Sequence, residues 1–299
     1  MANINTSALS NYVEEHNIPL INQIVLGGSI IQDMTVQPNI KTKARIHYLS
    51  TDPTFQDGGS ACGFNAAGTA ALTEREIETG IIKVNMEFCQ KELLGKYAEY
   101  LVRISAGAED LGFEKELVDS IIANIQKKLE VKIFQGRKDG GDQFDGLIKV
   151  ATDAGVSEDV LSKSDGAYAN IKQVYMSLPE EAIEKGATIY VSPATYREFT
   201  QELVAKNLFH YAGPTDSYPT EIIFPGTDVK VKRAAGLAGS DYILAGVPKD
   251  WFYGCDLSDA NEELKIWYSN DDDVVRMKAL WNSGTQIAFP NEVKLGKRQ

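Results

Sequence analysis

The chain has 299 residues, of which 43% are hydrophobic and 24% charged, and this composition predicts a globular protein of one large domain or two ordinary ones. Its formal net charge of −12 works against broad binding to nucleic acid, because that affinity comes mostly from neutralising phosphates. No basic leader precedes an apolar segment, and no apolar run approaches the roughly 20 residues that span a bilayer, so we expect neither secretion nor membrane association.

The first 90 residues predict an arm followed by a hairpin. Residues 1–40 are too broken by proline and glycine for a long helix and too apolar for a free tail, so we expect an arm that lies on another surface. Residues 41–54 and 74–90 alternate as strands do, with Ile82 and Val84 on one face. Between them lies the small-residue stretch FQDGGSACGFNAAGT, and the whole segment therefore predicts an extended hairpin loop.

The rest of the chain predicts mixed α and β structure. We expect a helix over 91–106 and a long amphipathic helix over 113–134, where apolar residues recur at helical spacing before Gly136. A helix over 168–183, a strand at 187–192 and a helix over 193–206 follow. Five strands close the chain: DVKVKRA, DYILAGV, ELKIWYS, VVRMKAL and TQIAFP. The predicted fold class is α+β.

Residues that could carry chemistry are few and scattered. Ser60 lies in GGSAC, which lacks the last glycine of a nucleophile elbow, so a flexible loop is favoured over a catalytic turn. His16, His47 and His210 stand in separate regions without a neighbouring ligand residue. The run Asp271–Asp273 lacks a calcium-loop pattern and is favoured as a solvated turn. The sequence predicts no catalytic residue, no cofactor and no metal site.

Glycines and cysteines offer equally weak signals. The glycines at 136, 140, 141 and 146 follow a helix instead of opening one, which favours a helix end and a turn over a phosphate-binding loop. Cys62 could be an exposed, reactive thiol, although no histidine lies near it in sequence. The other two cysteines, Cys89 and Cys255, complete no C-x-x-C pair, so a reducing compartment fits best.

The order of these elements resembles the major capsid protein of tailed bacteriophages, whose shell fold is shared with bacterial encapsulins and herpesvirus capsid floors. IIKVNMEFCQKELL at 81–94 resembles the return of the family's extended loop. ELVDSIIANIQKKLEVKIFQGRKDGGDQFDGLIKV at 116–150 resembles its spine helix and the glycine loop after it. GATIYVSPATYREFTQEL at 186–203 and VVRMKALWNSGTQIAFPNEV at 274–293 are similar to its apical domain and its final peripheral strand. The resemblance covers nearly the whole chain.

This resemblance implies a division of the chain into five segments. They are an N-terminal arm at 1–40, an extended β-hairpin loop at 41–90, a peripheral domain with the spine helix at 91–143, a mixed α/β apical or axial domain at 144–273, and a C-terminal strand returning to the peripheral domain at 274–299. Residues expected to contact neighbouring subunits are Phe55, Phe64, Lys41, Lys43, Arg45, Arg137 and Lys138. Because 54–73 contains no lysine, we expect non-covalent joints and not the loop crosslinks of some family members.

The function implied is a structural one. The family assembles pentamers and hexamers into an icosahedral shell around double-stranded DNA, which it encloses without sequence-specific binding. The expected partners are other copies of the chain, with a separate scaffold, a portal and decoration proteins as further partners. The expected location is the virion, after assembly in the cytoplasm of a bacterial host. An encapsulin-like cargo shell and, in a different class, a cytosolic α/β enzyme remain as alternatives.

Overall fold

The computed structural model describes residues 6–56, 67–105, 112–208, 220–256, 263–269, 271–272 and 274–299. The helices are α1 Thr6–Glu15, α2 Asn17–Leu26, α3 Gln90–Ser105, α4 Phe113–Gln135, α5 Leu147–Asp153, α6 Gly166–Ser177, α7 Glu180–Glu184 and α8 Pro193–Ala205. The strands are β1 Thr35–Gln37, β2 Lys43–Pro53, β3 Gly68–Glu78, β4 Gly80–Cys89, β5 Glu158–Leu161, β6 Thr188–Val191, β7 Glu221–Ile223, β8 Lys230–Arg233, β9 Tyr242–Gly246, β10 Trp251–Cys255, β11 Glu263–Ser269, β12 Val274–Ile287 and β13 Lys294–Arg298.

The first sheet is built around β12, in the order β1-β10-β12-β11, with β4 also paired to β12. β12 runs antiparallel to β10, to β11 and to β4, whereas β1 runs parallel to β10. Residues 274–280 of β12 pair with both β11 and β4, so these two strands lie on opposite edges of β12.

The second sheet has six strands in the order β5-β13-β9-β6-β8-β7. Helices α6 and α8 pack together, and their apolar residues, such as Ile171, Val174 and Phe199, lie in one buried cluster with Ile189 and Val231 of the sheet. The second sheet therefore has a core of its own on the face that these helices cover.

The long helix α4 and the N-terminal helices pack on the first sheet and share one apolar core with it. α4 has 23 residues, so it is roughly 35 Å long, and Ile122 and Ile133 are fully buried along it. Val13 of α1 and Val25 of α2 join the same cluster, so the N-terminal segment lies on the body of the molecule as two short helices. No helix within the described ranges is long and apolar enough to cross a membrane.

The long amphipathic helix predicted at 113–134 is confirmed, whereas the single helix predicted at 168–183 is wrong. α6 ends at Ser177 and α7 begins at Glu180. Leu178 adopts an extended conformation, with φ −68° and ψ 139°, because the ring of Pro179 disfavours a helical conformation in the preceding residue.

The last two strands predicted from the sequence, VVRMKAL and TQIAFP, are one continuous strand. β12 runs through Gly284, where a side chain would collide with the backbone carbonyl of Glu78. The glycine therefore allows the segment at Glu78 of the same chain to approach β12 closely without interrupting the strand.

The hairpin at 41–90 differs from its prediction in its second strand. β2 pairs with β3 along its whole length, from Lys43 opposite Glu78 to Pro53 opposite Gly68. The segment 80–89, predicted as part of the returning strand, instead belongs to the first sheet through its pairing with β12. Alternation of apolar residues identified a strand there but could not identify its partner.

The five-segment division stays a prediction, and sheet membership runs across two of its boundaries. β10 and β11, inside the segment 144–273, lie in the first sheet. β13, inside the C-terminal segment, lies in the second sheet between β5 and β9.

Candidate functional site

The hairpin β2–β3 has one charged face and one face that is apolar near the body. Side chains alternate across a strand, so Lys43, Arg45 and His47 share a face with the glutamates that oppose them, Glu78, Glu76 and Glu74. The residues between them face the other way. Of these, Ala44, Ile46 and Ile77 pack together near the body, where Ile46 and Ile77 are buried.

The charged face is a ladder of ion pairs within one protomer. Lys43 Nζ lies 2.6 Å from Glu76 Oε1, and Arg45 Nη1 lies 3.2 Å from Glu74 Oε2. The hydrogen bond to Glu76, together with its negative charge, raises the pKa of Lys43. His47 Nδ1 also approaches Glu74, at 3.3 Å from Oε1. Because all these side chains are about half exposed, each pair contributes little to stability.

The last pair of the ladder joins the hairpin to the turn after α4. Lys138 Nζ lies 2.5 Å from Glu78 Oε2. This hydrogen bond lowers the pKa of Glu78. Partial burial acts in the opposite direction, and the positive charges of Lys138 and Lys43 lower the pKa further. The turn itself is held from within, since Lys138 N donates to Asp145 Oδ1 at 2.8 Å and Gly141 turns the chain with φ +93°.

The apolar base of the hairpin is fixed to the first sheet. Ile46 and Ile77 cluster with Ile40 and Phe252, and the rings of Tyr48 and Phe289 lie 4.9 Å apart. Side chains of β12 reach the same base: Asn282 Nδ2 donates to Lys41 O at 3.2 Å, and Gln286 Nε2 donates to Glu76 O at 2.5 Å. The base is therefore held by apolar packing and by hydrogen bonds from side chains of β12 to backbone carbonyls of the base.

Beyond this base the hairpin is open to solvent. Phe55 is 99% exposed and Leu72 is 65% exposed. Small and polar neighbours, among them Thr54, Gln56 and Ala70, are exposed as well. Phe55 and Leu72 are therefore large apolar side chains that the hairpin holds away from the core.

The structure brings together four of the seven residues predicted to contact neighbours, all on or beside the hairpin base. Lys43, Arg45 and Lys138 are ion-paired within the protomer, and the side chain of Lys41 is exposed beside them. Phe55 lies just beyond the distal end of β2, which is Pro53, and Phe64 lies outside the described residues.

The seventh residue, Arg137, is exposed on the turn after α4, where its backbone N–H donates to Asp142 Oδ2 at 2.9 Å. Sequence reasoning missed Leu72 and the glutamates opposite the basic residues. The alternation in EREIE at 74–78 was the signal that could have found those glutamates.

A cavity of about 300 Å³ lies elsewhere, between the segment after α2 and the second sheet. Its lining includes Lys185, Lys230, Lys232 and Lys249. Asp33 is held inside it, since Lys232 Nζ lies 2.6 Å from Asp33 Oδ2 and the hydroxyl of Tyr190 donates to the same oxygen at 2.9 Å. Burial raises the pKa of Tyr190 well above its ordinary value, so this hydroxyl stays protonated.

The described candidates for chemistry, His16, His47 and Asp272, are not among the residues that line this cavity. Ser60, Cys62 and His210 are outside the described residues, and the His16 ring stacks on Tyr12. Asp272 Oδ2 lies 2.6 Å from Arg276 Nη2 in a turn. Within the ranges that the structure describes, no group of three or more histidine, cysteine, aspartate or glutamate residues could hold a metal ion.

Solved structures of phage particles share this fold along nearly the whole chain. One such chain comes from the structure of the satellite phage P4 procapsid, a particle that includes the size determination protein. It aligns with a TM-score of 0.64 at 11% identity, and the alignment covers 100% of this chain and 98% of the other. A chain of Microbacterium phage Oxtober96 aligns at 0.58 and 13% identity, covering 91% of each chain. A chain from the capsid of an empty GTA particle aligns at 0.57 and 15% identity, covering 91% and 90%.

No family model matches the sequence, and no curated protein matches it. The likeness is therefore one of structure, and the chain has the capsid shell fold of tailed phages.

Proposed function

We propose that the protein is a major capsid protein, which self-assembles into pentamers and hexamers that form an icosahedral shell around double-stranded DNA. The observation that carries this proposal is the alignment with the P4 procapsid chain, since it covers 100% of this chain and 98% of the other. Fold alone does not determine function, so the surface of the protein has to support the same conclusion.

The hairpin provides that support. Its base is packed on the first sheet, while Phe55 and Leu72 are held out in solvent at its distal part. A side chain such as Leu72 gains about 1.5–3 kcal/mol when it is buried, so a neighbouring subunit that covers the hairpin would gain stability from it. A projecting hairpin on every copy generates repeated contacts between subunits, as a closed shell requires.

The charge of the chain suits a container for DNA. A net charge of −12 disfavours strong attachment of the wall to packaged phosphates, which suits a shell that encloses the DNA without binding it tightly. We place the assembled protein in the virion, with assembly in the cytoplasm of a bacterial host. We include a separate scaffold, a portal and decoration proteins among its proposed further partners.

The polar groups of the cavity favour a structural role over catalysis. Asp33 Oδ2 accepts hydrogen bonds from Lys232 Nζ and from the Tyr190 hydroxyl, and Lys230 Nζ lies 3.0 Å from Glu221 Oε1. A general base has to accept a proton from a reacting group, and the two carboxylate oxygens named here already have partners within the protein. The capsid structures that share the fold are structural proteins, and no specific observation favours the encapsulin-like shell or the enzyme.

Electron microscopy of the purified protein, beside its mass from size-exclusion chromatography, tests the proposal. We expect closed shells, tubes, or discrete pentamers and hexamers. A protein that stays a monomer or dimer at high concentration, with a scaffold protein added, would refute the shell function.

A matched pair of substitutions tests the hairpin as the contact. Leu72→Asp removes an exposed apolar side chain from the hairpin, and Met176→Asp removes one that is 72% exposed on α6. We expect Leu72→Asp to raise the concentration needed for assembly roughly tenfold or more, since burial of a leucine is lost, and Met176→Asp to change it little. Equal effects of the two variants would show that the hairpin is not the contact.

A further inference from the structure

β4, with ten residues, is the longest edge strand of the first sheet within the described residues. All ten residues of β4 pair with β12 on one side, from Gly80 opposite Ser283 to Cys89 opposite Val274. On the other side β4 has no strand partner within the described residues. About half of its backbone N–H and C=O groups therefore point away from the sheet, as a row of unused donors and acceptors.

The other edge strands of the two larger sheets are shorter, and helices contact the longest of them. The edge strands β1 and β7 have three residues each and β5 has four. β11 has seven, and helices α1 and α2 pack against it. Proteins usually protect a long edge with a proline, a bulge or a covering element. β4 contains no proline, and its pairing with β12 is continuous.

The sequence of β4 is complementary to itself when two copies run antiparallel with Asn85 opposite Asn85. Lys83 of each copy then lies opposite Glu87 of the other, on the exposed face. On the opposite face Val84 meets Met86, and both already pack against the core of their own protomer. Opposite charges and apolar pairs across neighbouring strands are the contacts that stabilise antiparallel pairing.

We propose that β4 pairs antiparallel with β4 of a second copy across a two-fold axis, which joins the first sheets of two subunits into one continuous sheet. The inference rests on the proposed shell function and names one contact within it. The two-fold relation makes the interface isologous, so each charge pair occurs twice in it. The hairpin contact and the β4 contact use different surfaces, so one can fail without the other.

Disulfide trapping in assembled shells tests this register. In a background with Cys62→Ser and Cys89→Ser, the variant Asn85→Cys places two thiols directly opposite each other. Opposite residues of an antiparallel pair have Cα atoms about 4.5–5.5 Å apart, which suits a disulfide. The matched control is Lys83→Cys, because two copies of residue 83 would lie four residues out of register, roughly 13 Å apart.

Oxidation of the Asn85→Cys shells should give a disulfide-linked dimer on a non-reducing gel, and the Lys83→Cys shells should give monomer. The double variant Lys83→Cys with Glu87→Cys should again give a dimer. Equal linkage of the two single variants would overturn the proposal. Linkage of neither would also overturn it, and this is the result expected if another protein or another segment of this chain covers the edge of β4. If no shells form at all, the proposed function fails, and a dimer formed by Asn85→Cys alone in solution would still support the β4 contact.

Charge reversal gives a second test that does not depend on oxidation. Lys83→Glu should raise the concentration needed for assembly roughly fivefold, because a like-charge pair replaces each of two opposite-charge pairs. Adding Glu87→Lys should recover part of this loss. The recovery should be incomplete, because Arg276 donates to Glu87 Oε1 at 3.0 Å in the native protein and would then face a second positive charge. If the double variant assembles less well than Lys83→Glu, the two residues do not face each other.

Discussion

Replacing Gly80 with alanine should destabilise the protein, because this residue marks the point where the hairpin meets the first sheet. A Cβ at Gly80 would overlap the backbone carbonyl of Gln143, in the turn after α4. Neither group can rotate away, since Gly80 begins β4 and the turn is closed by a hydrogen bond of 2.9 Å from Gly146 N to Gly136 O. Either the strand or the turn has to move.

The size of the effect follows from this overlap. Adding a methyl group to a tightly packed site costs about 1–3 kcal/mol. With an unfolding entropy of about 2.1 cal/mol/K per residue over 299 residues, the melting temperature should fall by about 2–5 °C. Gly95→Ala is the matched control, because Gly95 lies inside α3 with no atom within 4 Å of the added Cβ. It should stabilise the protein by up to about 1 kcal/mol, since alanine is the better helix former.

Calorimetry on the unassembled protein at low concentration checks both variants, because assembly would add stability of its own. The two changes should have opposite signs. If Gly80→Ala melts at the temperature of the native protein while Gly95→Ala is stabilised, the close approach of the hairpin base to the turn after α4 is not as described.

Three further predictions concern charge and covalent linkage. Glu78→Gln should cost less than about 1 kcal/mol at pH 7, since its pair with Lys138 is partly exposed. This cost should disappear as the pH falls through the lowered folded pKa of Glu78, as acid-dependent melts would show, and a cost independent of pH would contradict it. Burial, and then the charge of Glu292, raise the folded pKa of Asp250, so its ionised form is unfavourable in the folded state at neutral pH. Asp250→Asn should therefore raise the free energy of unfolding at pH 7 by up to about 1 kcal/mol, an advantage lost in melts below the ordinary pKa of aspartate, and a destabilised variant at pH 7 would refute this. Because 54–73 contains no lysine, boiled shells should run as monomers on a denaturing gel, and a ladder of multimers would contradict non-covalent joints.

The sequence predicts those elements whose signal is local. α4 could be predicted because its apolar residues repeat at helical spacing over 23 residues and Gly136 follows it. The break between α6 and α7 could have been predicted from Pro179, whose effect on Leu178 is also local. The order of the elements was sufficient to indicate the capsid shell fold, which the solved phage structures share.

Strand partners could not be predicted, because alternation does not depend on which strand lies alongside. β4 pairs with β12, which is separated from it by nearly two hundred residues of sequence, and the long-range register is set by packing of the whole sheet. The same holds for the hairpin residues. The basic positions Lys43 and Arg45 stay predicted contacts between subunits, and their ion pairs with glutamates of the same chain could be found only from the register.

The base of the hairpin holds its direction mainly through apolar packing. Ile46 and Ile77 are buried there, and each contributes about 1.5–3 kcal/mol, whereas the partly exposed Lys138–Glu78 pair contributes less than about 1 kcal/mol. The ring of Tyr48 contacts Phe289 on the body, and beyond it β2 and β3 stay paired with each other as far as Pro53 and Gly68. Under the proposed shell function, a subunit that fits both pentamers and hexamers would therefore adapt its contacts at the lowest energetic cost in this distal part, while the base and the proposed β4 contact keep one geometry.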